Sequence, residues 1–179
     1  MNQKKSFSAL ALAGLALLTQ SCASIPKGAT VVKPFDKERY LGKWYEIGRL
    51  DHRFERNLDN VTAVYSMNND GTIKVTNSGY KTTTKEWKQV TGKAKPSGKP
   101  GEGKLKVSFF GPFYGAYNII ALDEQYRYAL VAGNNLKYLW ILSRETSIPE
   151  DIKLQFLATA KSVGYDTSSL IWVKHDNGK

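Results

Sequence analysis

Apolar and polar positions follow three patterns along the chain. The first is an apolar block, mostly Ala, Leu and Gly, over residues 7–18. Lys4 and Lys5 precede it, and small and polar residues follow it as far as Cys22. The block is shorter than the roughly 20 apolar residues that cross a bilayer. A positive start, an apolar centre and a small-residue end are the marks of an export signal, so residues 1–21 are expected to be a signal peptide. The second pattern is a series of short, strand-like runs rich in aromatic and β-branched residues. They cover residues 44–50, 61–67, 73–80, 87–95, 105–110, 117–122, 128–133 and 138–143, with turn residues between them. Asn68-Asn69-Asp70-Gly71 is a strong hairpin signal, because Asn, Asp and Gly accept positive φ. The third pattern has helical spacing: Ile152, Phe156, Leu157 and Ala160 share one face. Ser147 and Glu150 read as a capping box, Pro149 suits a first turn, and Gly164 suits a C-terminal stop. A ninth short strand is expected at residues 170–173.

Eight strands about ten residues apart, then a helix and a last strand, predict an all-β fold. It is an eight-stranded antiparallel up-and-down β-barrel with one C-terminal α-helix packed outside and a short ninth strand. Such a barrel holds one small ligand. In a meander alternate loops share an end. The connections after strands one, three, five and seven therefore form a mouth, and the others form a base. The base also receives Gly42 and Trp44 from one end of the chain and Arg144 from the other. A guanidinium over the indole face would seal it.

Composition narrows the chemistry. The 179 residues are 41% hydrophobic, 12% aromatic and 23% charged, which suits one globular domain. The single cysteine excludes an intrachain disulfide, and two histidines far apart make a poor metal site. The net charge of +10 invites an anionic partner. Ser108 and Ser143 have no histidine placed as a base, and Glu46 with Asp51 completes no acid–base site. Phosphate-loop, dinucleotide and metal motifs are missing, so neither catalysis nor a cofactor is expected.

Ser21-Cys22 resembles the end of a lipobox, in which the cysteine receives diacylglycerol and becomes the new N-terminus. Thr19 stands where that motif usually has Leu, and Leu18 lies one place earlier. Ala23 and Ser24 follow, without the acidic residue that would redirect sorting. The expected location is the outer membrane on its periplasmic side, anchored through Cys22, with residues 22–34 as a tether. Gly42-Lys43-Trp44-Tyr45-Glu46 with Arg144 resembles the lipocalin signature. Longer runs, Asp51-His52-Arg53-Phe54-Glu55-Arg56, residues 105–115 and residues 138–144, look like the bacterial outer-membrane lipoprotein lipocalins. Apolipoprotein D is a more distant relative. The likeness covers nearly all of residues 35–173, and residues 35–179 are taken as the lipocalin domain.

The resemblance implies a cavity for long-chain fatty acids, phospholipids or lysophospholipids. The residues point the same way. Phe109, Phe110, Phe113, Tyr114 and Tyr117 cluster around one mouth loop, and Tyr138, Trp140 and Leu142 share a strand face. Trp140 and Tyr114 are the leading lining residues. Arg53, Arg56 and Lys106 are candidates to meet a phosphate or carboxylate head group, and His52 reads as a loop hydrogen-bonder. The expected function is lipid storage or transport in envelope maintenance or stress. The alternatives are a lipid-modifying enzyme or an accessory to one, and a surface polyanion binder, the last suggested by Lys93, Lys95, Lys99, Lys104 and Lys106 around one hairpin. The export signal argues against nucleic acid as a partner. The aromatic mouth is compatible with a homodimer.

Overall fold

The computed structural model describes residues 24–176. Cys22 and the export segment lie outside them. A one-turn helix, α1 (Lys37–Tyr40), opens the domain. The Asp36 carboxylate caps it by accepting from the backbone N–H groups of Glu38 and Arg39 at 2.9 and 3.2 Å. The strands follow as β1 (Gly42–Leu50), β2 (Leu58–Met67), β3 (Ile73–Lys81), β4 (Glu86–Pro96), β5 (Lys104–Ser108), β6 (Gly115–Leu122), β7 (Tyr128–Ala132) and β8 (Leu139–Ser143). Helix α2 (Glu150–Val163) and β9 (Leu170–Trp172) complete the chain.

Each strand pairs antiparallel with the next, and β1 pairs with both β8 and β2, which closes the barrel. The alternation of side chains sorts them into two cores. Trp44, Tyr65, Val75, Leu105 and Ile119 pack inside the barrel. Ile47, Leu130, Leu139 and Ile141 face outward, where Phe156 and Ala160 of α2 cover them. The β2–β3 hairpin turns at Asp70-Gly71, with Gly71 at φ 76° and the Asp70 carboxylate accepting from Thr72 N–H.

Three local expectations change. The N-cap of α2 is Pro149 and makes no side-chain bond. Ser147 instead offers its carbonyl to the Ser143 hydroxyl at 2.8 Å, so the expected capping box does not form. Gly164, at φ 104°, ends the helix as anticipated. Strand β5 stops at Ser108, which leaves Phe109 and Phe110 to the loop. The segment expected as a tether is docked from Ser24 onward. Val32 N–H donates to the Ile119 carbonyl at 2.9 Å, and the Val32 carbonyl accepts from Gly103 N–H at 3.0 Å. Ile25 and Ala29 pack against the outer core.

Strand β1 changes partners along its length. Gly42 to Tyr45 pair with β2, whereas Gly48 to Leu50 pair with β9. The final strand thus enters the place that β2 leaves. At Gly48 a Cβ would stand 3.3 Å from the Trp172 ring, so the absent side chain lets β9 come this close. The register against β8 also shifts here. Glu46 pairs with Leu142 and Gly48 with Ile141, leaving Ile47 as the extra residue of a β-bulge.

Candidate functional site

The base is sealed by the residues that flank the barrel in sequence. The Arg144 guanidinium lies 3.9 Å from the centre of the Trp44 ring. It donates to the carbonyls of Lys43, Arg39 and Tyr126 at 2.8, 3.0 and 3.1 Å. Trp44 is fully buried and donates its indole N–H to the Tyr40 carbonyl at 2.9 Å. Gly42 has φ 93°, and a Cβ there would stand 3.3 Å from Arg144 Nη1. Both the backbone conformation and the approach of the guanidinium therefore call for glycine.

Above this seal is a cavity of about 780 Å³ that opens between the connections β1–β2, β3–β4, β5–β6 and β7–β8. Its floor is a hydroxyl cluster. Tyr117 Oη lies 2.8 Å from Tyr40 Oη and 2.9 Å from Tyr65 Oη. Burial pushes all three hydroxyls above the ordinary tyrosine range, so they stay protonated and bond to one another. The wall above is largely apolar, with Val61, Val75, Val107 and Leu142 facing inward.

One side of this wall carries charge. Because of the bulge at Ile47, Glu46 and Arg49 point into the barrel together, three residues apart, where simple alternation would put them on opposite faces. Arg49 is 2% exposed and donates from Nη1 to Glu46 Oε1 at 2.7 Å. Its Nη2 donates to the carbonyls of Glu55 and Leu58 at 2.8 and 3.0 Å, fastening the β1–β2 loop across the mouth. Glu55 turns inward and accepts the Trp140 indole N–H at 2.9 Å. His52 Nε2 stands 2.8 Å from the same carboxylate oxygen, off the line of a hydrogen bond. Burial, reinforced by the charge of Glu55, pushes the Glu46 carboxyl well above the usual carboxylate range despite Arg49. Burial acts on Glu55 too, but His52, the Trp140 N–H and Arg49 outweigh it and hold that carboxyl low. A proton is therefore held more firmly by Glu46 than by Glu55.

The anticipated lining residues fall into three groups. Trp140, Tyr138, Tyr114, Phe110, Phe113 and Arg53 border the cavity. Tyr138 and Trp140 stack at 6.1 Å with 18° between their planes. Tyr117 also borders it, but as part of the floor and not of the mouth loop, because β6 carries its side chain down towards Tyr40. Lys106 is outside. Leu105 and Val107 take the inward positions of β5, so the intervening side chain points away, and its ammonium rests 5.4 Å from the Tyr114 ring centre. Arg56 is held by the Asp51 carboxylate, with Nη2 at 2.6 Å from Oδ2. The pairing of Glu46 with Asp51 considered from sequence does not occur, since Glu46 meets Arg49 instead. Arg49 and Glu55 were not anticipated. Only the bulge brings Arg49 inside, and Gly48, an isolated glycine within a strand, is the sequence signal that could have marked it.

Residues 35–175 match the lipocalin-like domain family. The outer membrane lipoprotein Blc of Citrobacter freundii is 55% identical over 161 residues, covering 89% of this chain and 91% of that protein. Its namesake in Escherichia coli K12 is 53% identical over 167 residues, covering 92% and 94%. Rat apolipoprotein D is 33% identical over 169 residues, covering 85% and 86%. Among solved structures, insecticyanin from the tobacco hornworm Manduca sexta superposes with a TM-score of 0.68 at 19% identity, over 84% of this chain and 86% of that one. This last likeness concerns the fold. Like its bacterial relatives the protein is a lipid-anchored lipoprotein of the outer membrane. It binds a small hydrophobic ligand and is not an enzyme. Its signature residues, closed barrel and relatives agree, and the chain belongs to the lipocalin family.

Proposed function

We propose that the protein carries or stores long-chain fatty acids, phospholipids or lysophospholipids on the periplasmic side of the outer membrane, in envelope maintenance or stress. One observation carries this reading: a barrel cavity of about 780 Å³ with a largely apolar wall, a tyrosine floor and an aromatic rim. An acyl chain gains about 0.8 kcal/mol per buried methylene. Fourteen methylenes would gain about 11 kcal/mol before the costs of association and ordering. Head-group recognition falls to the rim, where Arg53 is exposed beside Phe54, its guanidinium 4.8 Å from that ring. Binding and release break no bond.

Native mass spectrometry of the purified protein, followed by organic extraction, tests the reading. A co-purified lipid, or one taken up in a titration that changes Trp140 fluorescence, supports it and names the head group. A protein that neither retains lipid nor takes up palmitate or lysophosphatidylethanolamine overturns it.

A further inference from the structure

We infer that the outer wall of β3, β4 and β5 binds a soluble polymer chain bearing phosphate groups, at a site separate from the cavity.

The first observation is how lysines pair across the sheet. Lys74 of β3 stands directly opposite Lys93 of β4, and Lys95 of β4 stands directly opposite Lys106 of β5. All four point outward, because Ile73, Val75, Ala94, Leu105 and Val107 take the inward positions. Lys104 adds a fifth on the same face of β5. Such positions lie about 5 Å apart across strands and about 7 Å apart along one. Like charges in directly opposed positions destabilise a sheet. Two such pairs stand side by side here, and an anionic ligand would turn their repulsion into attraction.

The second observation is how little neutralises them. Lys93 Nζ lies 2.9 Å from Asp70 Oδ2. Among the described residues, no carboxylate forms an ion pair with Lys74, Lys95, Lys104 or Lys106. Lysines elsewhere do find carboxylates, as Lys88 does in Glu86 and Lys153 in Glu150. The positions facing the cluster from β2 and β6 are Ser66, Ala116 and Asn118, none of them charged.

The third is Tyr114, whose ring is 37% exposed. Lys95 Nζ lies 5.0 Å and Lys106 Nζ 5.4 Å from its centre. The ring gathers two opposed ammonium groups without cancelling their charge. The cations are thus held together before any ligand arrives, which lowers the cost of ordering them.

The composition of the face selects the partner. Lysine is depleted in protein–protein interfaces. A barrel wall is convex and twisted, so a flat bilayer touches only part of it, whereas a flexible chain can follow all three strands. Ammonium groups act as point charges and grip phosphate oxygens without the paired geometry that a guanidinium imposes. The protein's place at the outer membrane puts the chain outside the cytoplasm.

The test is lysine footprinting of the lipoprotein in vesicles of phosphatidylethanolamine and phosphatidylglycerol. Limiting acetic anhydride is applied with and without long-chain inorganic polyphosphate, and each lysine is read by mass spectrometry. Polyphosphate should slow acetylation of Lys74, Lys95 and Lys106 several-fold and leave Lys27, Lys137 and Lys161 unchanged. Equal protection at all six, or none, overturns the inference. Protection of the first three by the vesicles alone, relative to neutral detergent micelles, assigns the face to the bilayer and overturns it too. In micelles, anisotropy of labelled polyphosphate compares the triple variant Lys74→Gln, Lys95→Gln, Lys106→Gln with Lys27→Gln, Lys137→Gln, Lys161→Gln, which removes the same charge elsewhere. The first should bind at least about tenfold more weakly, with the slope of log K against log salt reduced by about 2. Equal losses in both variants overturn the inference. The urea midpoint of the first variant should match or exceed the parent's, since the repulsion is gone. A lower midpoint would show that these lysines serve the fold and would overturn the reading of them as a site.

Discussion

Removing the Arg49 guanidinium should destabilise the barrel in a pH-dependent way. In Arg49→Met the carbonyls of Glu55 and Leu58 lose their donor, as does the Glu46 carboxyl. Two orphaned acceptors in a nearly water-free position set a cost of about 2 kcal/mol or more. Breaking a buried ion pair outright costs about 3–5 kcal/mol. The loss should fall towards the low end at mildly acidic pH, because the raised Glu46 carboxyl already holds its proton there. A carboxyl whose folded pKa lies above its unfolded value stabilises the fold fully below the unfolded value, and that contribution disappears as pH rises through the folded one. Arg49 is among the groups that pull Glu46 down, so the variant carries a still higher value and loses stability over a wider alkaline range. The slope of that loss is at most about 1.4 kcal/mol per pH unit. Urea unfolding at pH 6 and pH 9, read by tryptophan fluorescence, measures both effects. A variant within about 0.5 kcal/mol of the parent at both pH values would refute the role given to Arg49. A decline from pH 6 to pH 9 no steeper in the parent than in Glu46→Gln would refute the protonation of Glu46.

Three further outcomes follow from the same geometry. Glu46→Gln keeps an acceptor for Arg49 but cannot ionise, so stability between pH 6 and pH 9 should decline less than in the parent, as thermal melts would show. Arg144→Met removes three hydrogen bonds and the stack over Trp44, worth about 0.5–2 kcal/mol for the stack alone, and should lower the urea midpoint. Val107→Trp projects an indole from an inward position of β5 into the cavity, so palmitate binding should weaken at least about tenfold, or about 1.4 kcal/mol, while far-ultraviolet circular dichroism stays unchanged.

The sequence carried the barrel because its signals are local and repeated. Turn residues recur every ten positions, alternation sorts inward from outward, and Gly42, Trp44 and Arg144 sit where the meander must close. Alternation also held more than was taken from it. Leu105 and Val107 already place Lys106 outside, and Ile119 marks Tyr117 as an inward residue. Arg49 is a different case. Strict alternation from Trp44 and Glu46 sends Arg49 to solvent, and the residue that reverses it, Ile47, is an ordinary strand former. Gly48 beside it hints at a bulge, but the bulge is fixed by what packs on each side of the strand, here the outer core beneath α2 and the approach of β9, and neither lies nearby in sequence. Ser147 failed as a cap for a similar reason: its carbonyl satisfies the buried Ser143 hydroxyl, a demand from β8 that local spacing does not express.

The bulge also joins the fold to the ligand. Up to Tyr45, β1 belongs to the barrel wall beside β2; beyond Ile47 its neighbour is β9, and β2 is reached only through side chains and the C-terminal segment. His175 Nε2 lies 2.8 Å from the Glu46 carbonyl, and Asn60 N–H donates to the Lys174 carbonyl at 2.8 Å. A barrel whose strands part at the mouth needs a strong tie across the gap, and Arg49 supplies it from the inside, at the position the bulge creates. The same guanidinium fixes the loop bearing Arg53 and Phe54 at the border of the cavity. Arg49 thus touches both a carboxyl inside the cavity and the carbonyls of the rim loop, so a change of charge on Glu46 is expected to reach the rim. If Glu46 ionises, Arg49 is drawn towards it at the expense of the two loop carbonyls, and the rim loosens. Hydrogen exchange of the amides over residues 52–58 should then quicken from pH 6 to pH 9 beyond the intrinsic increase, and Glu46→Gln should abolish the excess. An excess that survives in Glu46→Gln would show that the loop responds to another group.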